Sequence, residues 1–280
     1  MSVAHKWSPI EDGGTIDLSL EELPPLIEVW KEQSSVLAET DAIRTFNERL
    51  NREWAIETGF IERVYAIDRG TTQILIEKGI EASLIPREGS GRDPDQIAAI
   101  LQDHLDALDG MFAFIKGERD VSVGYIKELH GALLRHIDTH TVKDSSGRFF
   151  EVPLLKGVYK TLPNSPTRPD GTIHDYCPPE HVASEMDRLM EIHRKHVEAK
   201  LPMAIQAAWL HHAFTQIHPF TDGNGRVART LASLVFVKGG AFPLVIRRED
   251  HVRYIEALSA VAIAVSSASG SVGFGRTHRR

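Results

Sequence analysis

The residues that could do chemistry lie in one short stretch, Ile217 to Arg229, which reads IHPFTDGNGRVAR. It combines a histidine, a carboxylate, an asparagine between two glycines, and two arginines. Pro219 disfavours helical dihedrals at the residue before it, so the preceding helix should end near His218. Apolar residues then recur at helical spacing, so a second helix should begin near Asn224 or Gly225. The sequence therefore predicts two helices separated by a short polar loop.

The predicted start of the second helix favours a bound anion. A helix N-terminus carries partial positive charge and usually attracts Asp or Glu. This one instead carries Arg226 and Arg229, which are three residues apart and so share one face. Gly223 and Gly225 allow the backbone N–H groups to approach a ligand closely. Together these features predict a phosphate-binding site.

Asp222 and His218 supply the remaining chemistry of the loop. Mg²⁺ prefers one or two carboxylates plus phosphate oxygens, so we expect Asp222 to hold Mg²⁺ beside bound phosphates. His218 could act as general base on an incoming nucleophile. A Gly-Asn-Gly sequence alone is usually only a turn, and an arginine pair alone is usually a solvated face. Their combination in one loop favours a functional phosphate site.

Composition limits the classes of protein that fit. The chain has 280 residues, a hydrophobic content of 42% and a charged content of 25%, which is typical of a globular protein. Its net charge of -7 argues against a broad nucleic-acid-binding surface. Cys177 is the single cysteine, so no internal disulfide can form, which suits a reducing cytoplasm. We see no signal peptide and no membrane-spanning stretch, and therefore expect a cytoplasmic protein without a membrane partner.

HPFTDGNGRVAR resembles the HPFxDGNGRxxR signature of the Fic family, and every fixed position matches. The resemblance implies a mainly α fold: a Fic-type helical domain with a small β-hairpin flap, preceded by N-terminal helices. It also implies a protein adenylyltransferase that moves AMP from ATP, with Mg²⁺, to a Tyr, Ser or Thr hydroxyl of a target protein. The implied roles are general base for His218, metal ligand for Asp222, anion hole for Gly223, Asn224 and Gly225, and phosphate contacts for Arg226 and Arg229.

Two further stretches resemble elements of the same family. The stretch Thr58 to Arg63 resembles the inhibitory motif [S/T]xxxE[G/N], whose glutamate pairs with the second signature arginine. Here Glu62 would pair with Arg229, although Arg63 stands where the family prefers Gly or Asn. The stretch Ser35 to Thr40 is a poorer match. RYIEAL resembles the YYxAL element, which implies that Tyr254 lines the nucleotide base site.

The resemblance also divides the chain. We expect an N-terminal tail over residues 1–18, a helical region with the inhibitory helix over 19–92, a catalytic core over 93–265, and a disordered tail over 266–280. Residues 141–182 are rich in Gly, Pro, Ser and Asp and show no helical period. They resemble the family segment that carries the flap, which we place near Arg168 to Asp175. A target protein would dock there by strand pairing.

Periodicity predicts the helices around these motifs. A long amphipathic helix should begin near Ser34 and break at Gly59, and helical periodicity then resumes over residues 61–80. Asp93 is a plausible N-cap for the next helix. The apolar helix before the signature should be central to the core. A final helix should begin near Pro243.

The other histidines are expected to have no part in the chemistry. His130 resembles a structural histidine of the family core. His193 and His196 are expected to be surface residues. A metal site that includes His211 and His212 is disfavoured because adjacent helical residues point about 100° apart.

Three alternatives to AMP transfer remain open at this stage. The same site could remove AMP from a modified protein, with His218 and Glu62 both handling water. It could transfer UMP or GMP, because the motif reads phosphates and not the base. The protein could also be a non-catalytic nucleotide-binding regulator, although an intact His218 argues against pure binding. The sequence also leaves open whether the protein forms a homodimer.

Overall fold

The computed structural model describes residues 6–12, 23–37, 40–143, 146–167 and 171–258. The expected tail over 266–280 therefore lies outside the described residues, as do most of the tail over 1–18 and Glu39 of the weaker inhibitory match. No helix among the described residues is long and apolar enough to cross a membrane.

The described chain is mainly helical, which confirms the predicted fold class. The described residues form eight α-helices, of which α1 begins at the first residue after an undescribed segment, and a further helical stretch covers residues 251–258. The eight are α1 (Leu23–Val36), α2 (Asp41–Ile61), α3 (Arg69–Lys78), α4 (Pro94–Lys116), α5 (Val123–Leu133), α6 (Val182–Glu198), α7 (Met203–Ile217) and α8 (Asn224–Lys238).

Side-chain caps fix several helix starts. Thr40, Asp68, Asp93 and Ser122 each accept a backbone N–H from the first turn of α2, α3, α4 and α5 respectively. The Asp93 cap was predicted. The periodicity predicted a single helix from Ser34, but the Thr40 cap starts a new helix, so this stretch is divided between α1 and α2.

The predicted break at Gly59 is wrong, because Gly59 lies inside α2. Its missing side chain leaves room for Tyr65, whose ring would collide with a Cβ at Gly59. The Tyr65 hydroxyl donates to the carbonyl of Ile56 at 2.9 Å. The chain therefore leaves the helix after Ile61 and folds back on α2, and residues 62–68 are not helical as the periodicity had suggested.

The central helix is α8 and not α7 as predicted. Nearly every residue of α8 from Asn224 to Val235 is buried, and α8 contacts α7, α4, α5 and α2. Its polar residues find internal partners: the Ser233 hydroxyl accepts from the Trp54 indole at 3.2 Å and from the Leu244 backbone at 3.1 Å. Burial on all sides places the N-terminus of α8 deep in the molecule, where it forms the floor of the site.

A small antiparallel hairpin follows α5. Strand β1 (Thr139–Lys143) pairs with β2 (Phe149–Pro153), with His140 opposite Val152. Thr167, just before the predicted flap, forms an isolated antiparallel bridge with Ile173 of the flap, and the residues from Arg168 to Asp170 lie outside the described residues.

The final helix begins at residue 251 and not near Pro243. A 3-10 turn, Arg248–Asp250, precedes it. The backbone N–H of Arg248 donates to the Glu57 carboxylate of α2 at 2.8 Å. In a helix that began near Pro243, this N–H would instead donate to a backbone carbonyl of that helix.

The prediction that His193 and His196 lie on the surface is wrong. They are only 8% and 5% exposed. The His196 ring packs edge-on against Trp209 of α7, and its Nε2 lies 2.5 Å from Asp12. The described N-terminal segment 6–12 thus covers this face of α6.

Candidate active site

His218 lies at the C-terminal end of α7 in a left-handed conformation. Its φ is 50° and its ψ is 58°, and its N–H still donates to the Phe214 carbonyl at 2.9 Å. A left-handed conformation costs a residue with a side chain about 1 kcal/mol, so the surrounding structure must hold it. The conformation turns the chain sharply out of the helix and into the signature loop.

Asparagine side chains hold that loop. Asn224 accepts from the Phe220 N–H at 2.9 Å and donates to the Phe220 carbonyl at 2.7 Å. Asn164 donates to the same carbonyl at 2.9 Å. The Asn224 side chain therefore braces the loop, which leaves its backbone N–H as its contribution to an anion site.

His130 joins the loop to α5, as expected of a structural residue. Its Nδ1 accepts from the Gly157 N–H at 2.8 Å, so its proton must be on Nε2. That nitrogen lies 3.0 Å from the Asp222 carbonyl and donates to it. Burial lowers the pKa of His130 to about 4, which keeps it neutral in this arrangement.

The N-terminus of α8 carries the two glycines. Gly223 has a φ of 78°, a conformation that costs glycine little. Gly225 lies directly under the Glu62 carboxylate, and a Cβ at Gly225 would collide with Glu62 Oε1. The open face of the helix start thus already holds a carboxylate, the kind of group that a helix N-terminus attracts.

The two signature arginines are buried under this face. Arg226 is 1% exposed; its Nη2 lies 3.3 Å from Asp222 Oδ2, while its Nε and Nη1 have no partner among the described residues. Arg229 Nη2 lies 2.7 Å from Glu62 Oε1 and donates to the Thr58 carbonyl at 3.0 Å. A buried donor without a partner is costly, so the free Arg226 donors suit an additional anion.

The electrostatics of Glu62 follow from these neighbours. Burial of the carboxyl would raise its pKa, but Arg229 and Arg226 outweigh burial and hold the pKa of Glu62 below its usual range. Glu62 is therefore charged at neutral pH and occupies the position of an anion.

The His218 imidazole packs against an aromatic ring. The Tyr176 ring stacks on its imidazole with a centroid distance of 3.8 Å and an interplanar angle of 8°. Burial and, to a smaller extent, the Lys160 ammonium lower the pKa of His218 to about 3. The imidazole is therefore neutral at physiological pH, which is the state that a general base needs. Tyr176 was not predicted to belong to the site, and no motif around it points to this contact.

Two cavities meet at Glu62. The smaller, of about 380 Å³, is lined by His218, Tyr176, Gly225 and Arg229. The larger, of about 980 Å³, is lined by Asp222 and Arg226 together with residues of the β1–β2 hairpin. Ile61, Glu62 and His251 line both. Glu62 thus stands between the space beside the candidate base and the space beside Asp222.

Tyr254, which the resemblance assigned to the nucleotide base site, lines the smaller cavity. Its hydroxyl lies 2.8 Å from His211 Nε2. Burial lowers the pKa of His211 to about 3, so this histidine is neutral. Within the described parts of the chain, no group of three or more His, Cys, Asp or Glu side chains could hold a metal.

Asp222 is the carboxylate available for Mg²⁺. Its side chain is 40% exposed; Oδ1 accepts from the Gly223 N–H at 2.6 Å and Oδ2 faces Arg226. The unpartnered donors of Arg226 suit a phosphate, and a single carboxylate beside that phosphate suits a cation that takes its other ligands from phosphate oxygens and water. The same residues would not fit a cation held by protein side chains alone.

Comparisons with known proteins relate the chain to one family. A model of the Fic/DOC family matches residues 120–236. The chain is 33% identical over 212 residues to Protein adenylyltransferase Fic of Nematostella vectensis, covering 73% of this chain and 44% of that protein. It is 55% identical over 58 residues to a Fido domain-containing protein of Dictyostelium discoideum, covering 20% of this chain and 39% of that protein. The matches thus span less than half the length of these curated relatives.

Solved structures share the fold. The crystal structure of a Fic domain containing signaling protein from Bacteroides thetaiotaomicron has a TM-score of 0.65 at 24% identity, and covers 83% of this chain and 80% of that one. A Fic family protein from Desulfovibrio desulfuricans has a TM-score of 0.64 at 18% identity, and covers 94% of this chain and 70% of that one. The signature loop, the helices around it and these matches lead to one conclusion: the chain carries a Fic/DOC (Fido) domain over residues 120–236.

Proposed function

We propose that this protein transfers AMP from ATP to a hydroxyl group of a target protein. The observation that carries the proposal is the set of buried arginine donors at the N-terminus of α8, beside a cavity that contains the neutral imidazole of His218. The donors suit phosphate and the imidazole suits a proton acceptor. Relatives named protein adenylyltransferase support the same reaction class.

The proposed reaction is an in-line displacement at the α-phosphorus. The target hydroxyl oxygen forms a bond to phosphorus, the bond from phosphorus to the bridging oxygen of pyrophosphate breaks, and pyrophosphate leaves with that electron pair. His218 takes the hydroxyl proton. The N–H groups at the start of α8 and the guanidinium of Arg226 stabilise negative charge on the phosphate oxygens. Such catalysis depends mainly on positioning and charge stabilisation.

Mg²⁺, when bound, would neutralise part of the charge on the phosphate chain. Asp222 is the residue that would hold it, because its carboxylate is half-exposed and borders the larger cavity. Tyr254, which lines the smaller cavity, is our candidate for the nucleotide base site. Arg229 would bind the terminal phosphate once Glu62 has left it.

Glu62 would keep the site inactive. Its carboxylate lies over Gly225 and pairs with Arg229, so it occupies the place of a terminal phosphate and neutralises the arginine that would bind one. ATP would then bind with its terminal phosphate displaced or would have to push Glu62 aside. Withdrawal of Glu62 joins the two cavities beside the loop.

Removal of AMP is the second candidate. Glu62 and His218 line the same cavity, so a carboxylate and an imidazole could together orient a water molecule toward an AMP-modified residue. Transfer of UMP or GMP is a variant of the first proposal, because the buried donors would bind the phosphates and would leave the choice of base open.

Label transfer from α-phosphate-labelled ATP tests the proposal. Wild type, Glu62→Gly and Glu62→Gly/His218→Ala would be compared with Mg²⁺, with and without cell lysate. Label on protein in the single mutant and none in the double mutant would support AMP transfer. No label in any lane, with ATP binding intact, would reject it, and an AMP-modified protein would be the next substrate.

A further inference from the structure

Arg248, in the turn before the last described helix, forms an ion pair with Glu57 of α2. The Arg248 side chain is 11% exposed, and the Glu57 side chain that it faces is 7% exposed. The Arg248 backbone N–H donates to Glu57 Oε2 at 2.8 Å, and Nη2 and Nε donate to Oε1 at 3.1 and 3.2 Å. Breaking a buried pair with several charge-assisted hydrogen bonds is costly, so the two elements are held in a fixed relation.

The same guanidinium reaches two more elements. Its Nη1 donates to the Ile67 carbonyl at 2.9 Å and its Nη2 donates to the Thr72 hydroxyl of α3 at 2.8 Å. Its central carbon lies 4.0 Å from the ring centroid of Phe60, within the range of a cation–π contact. Arg248 therefore binds the last turns of α2 and also the segment into which α2 leads.

Those last turns carry Glu62. Glu57 precedes Glu62 by five residues and Phe60 precedes it by two, and α2 ends at Ile61. The end of the helix is closed by two bonds, from the Arg63 N–H to the Phe60 carbonyl at 2.9 Å and from the Val64 N–H to the Gly59 carbonyl at 3.1 Å. Any movement of this end would carry the Glu62 carboxylate away from the start of α8.

We infer that Arg248 is a positioning residue for Glu62: it holds the end of α2 so that the Glu62 carboxylate lies over Gly225 and against Arg229. The inference rests on the proposed function, in which Glu62 competes with a phosphate of ATP. Loss of the Arg248 contacts increases the fraction of molecules in which Glu62 is withdrawn. ATP then binds more tightly, although Arg248 itself lines neither cavity.

A merely structural role for Arg248 predicts a different pattern. It would lower stability without tightening ATP binding, or would change ATP binding equally whether or not Glu62 is present. The neighbouring Arg247 offers a matched control. Its Nε lies 2.6 Å from Glu53 Oε1, one turn earlier on α2, but its side chain is 55% exposed. Exposed pairs of this kind contribute little.

The test uses Arg248→Met, Arg248→Lys and Arg247→Met in the full chain, each with and without Glu62→Gly. Hydrogen–deuterium exchange at residues 59–64 reports the end of α2, and calorimetry with a non-hydrolysable ATP analogue and Mg²⁺ reports nucleotide affinity. Thermal unfolding identifies variants that are not folded at the assay temperature. Arg248→Lys keeps the charge and loses the planar fork, so it remains informative where the methionine variant unfolds.

We expect Arg248→Met to speed exchange of the Arg63 and Val64 amides about tenfold and to lower the Kd for the analogue about fivefold. Arg248→Lys should have a smaller effect in the same direction, and Arg247→Met should change each quantity less than about twofold. In the Glu62→Gly background, Arg248→Met should leave the Kd unchanged.

Unchanged exchange at the end of α2 in Arg248→Met and Arg248→Lys would overturn the inference. An equal gain in affinity with and without Glu62 would also overturn it, because Arg248 would then not act through Glu62. If Glu62→Gly alone leaves the Kd unchanged while Arg248→Met still loosens residues 59–64, the positioning role stands and the inhibitory role in the proposed function fails.

Discussion

Replacement of Glu62 by glycine should lower the stability of the empty protein and raise its response to ATP. Arg229 is 2% exposed, and its guanidinium pairs with Glu62 at 2.7 Å. Glu62→Gly leaves that charge buried, with the Thr58 carbonyl and the Tyr254 side chain as hydrogen-bond partners but no carboxylate. Removing one partner of a hydrogen bond to a charged group costs about 2 kcal/mol, which corresponds to a fall in Tm of roughly 4–8 °C for a chain of this size.

The terminal phosphate of ATP should restore the lost interaction. It can take the place of the carboxylate over Gly225 and accept from Arg229. If about 2 kcal/mol is regained, the Kd for ATP in Glu62→Gly should be about 30-fold lower than in wild type. Saturating ATP should therefore raise the Tm of the variant by more than it raises the Tm of wild type.

Glu62→Gln is the matched control, because glutamine keeps the volume over Gly225 and removes the charge. It should fall between wild type and Glu62→Gly in ATP affinity. Differential scanning fluorimetry and calorimetry supply both quantities. An empty Glu62→Gly protein as stable as wild type, combined with an unchanged Kd for ATP, would refute the reasoning.

Three further predictions come from single side chains. Arg63 has a φ of 56° at the end of α2, a left-handed conformation that glycine adopts more easily. Arg63→Gly should therefore remove a strain of about 1 kcal/mol and raise the Tm by roughly 2–4 °C, and it should weaken ATP binding because Glu62 is held more firmly. A lower Tm would contradict this prediction. Burial and then the Lys160 ammonium lower the pKa of His218. Lys160→Met should therefore move the acid limb of kcat/KM for transfer by Glu62→Gly to higher pH, and an acid limb at the same pH would count against His218 as the base. Burial lowers the pKa of His193 to about 4, so between pH 6.5 and pH 4 the unfolded chain binds more protons than the folded chain. The free energy of unfolding should then fall by up to about 1.4 kcal/mol for each pH unit by which the pH is lowered in that range. His193→Leu should make the fall in Tm with pH shallower, and an unchanged slope would show that other groups cause the fall.

The candidate site was predictable where its residues are close in sequence. His218, Asp222, Gly225 and Arg226 lie in one loop and the helix that follows it, so their spacing alone indicated a phosphate site. The polarity of a helix N-terminus and the turn forced by Pro219 are local effects that need no tertiary structure.

Contacts between distant segments were not predictable from local pattern. Nothing around Tyr176 indicates that its ring stacks on His218, and nothing around Arg248 indicates that it binds Glu57. Glu62 was found only through a resemblance to a short motif. The departure of Arg63 from that motif now has a physical reading: Gly and Asn adopt a left-handed conformation at little cost, and Arg63 adopts the same conformation with a larger cost.

Helix boundaries failed where one side chain decided them. Gly59 read as a break because glycine disfavours helices, but Tyr65 occupies the space beside it and α2 continues. His193 and His196 were predicted to be surface residues, but His196 is buried because Trp209 of α7 and Asp12 of the N-terminal segment pack against its ring. Such outcomes depend on partners that are far away in sequence.

The most direct measurement compares α-phosphate-labelled with γ-phosphate-labelled ATP as donor for Glu62→Gly and for Glu62→Gly/His218→Ala. The proposed reaction predicts protein-bound label from the α-phosphate only, release of labelled pyrophosphate from the γ-labelled donor, and loss of both with His218→Ala. Protein-bound label from the γ-phosphate would mean phosphoryl transfer, and α-label transfer that survives His218→Ala would mean that His218 is not the base; either result would contradict the account.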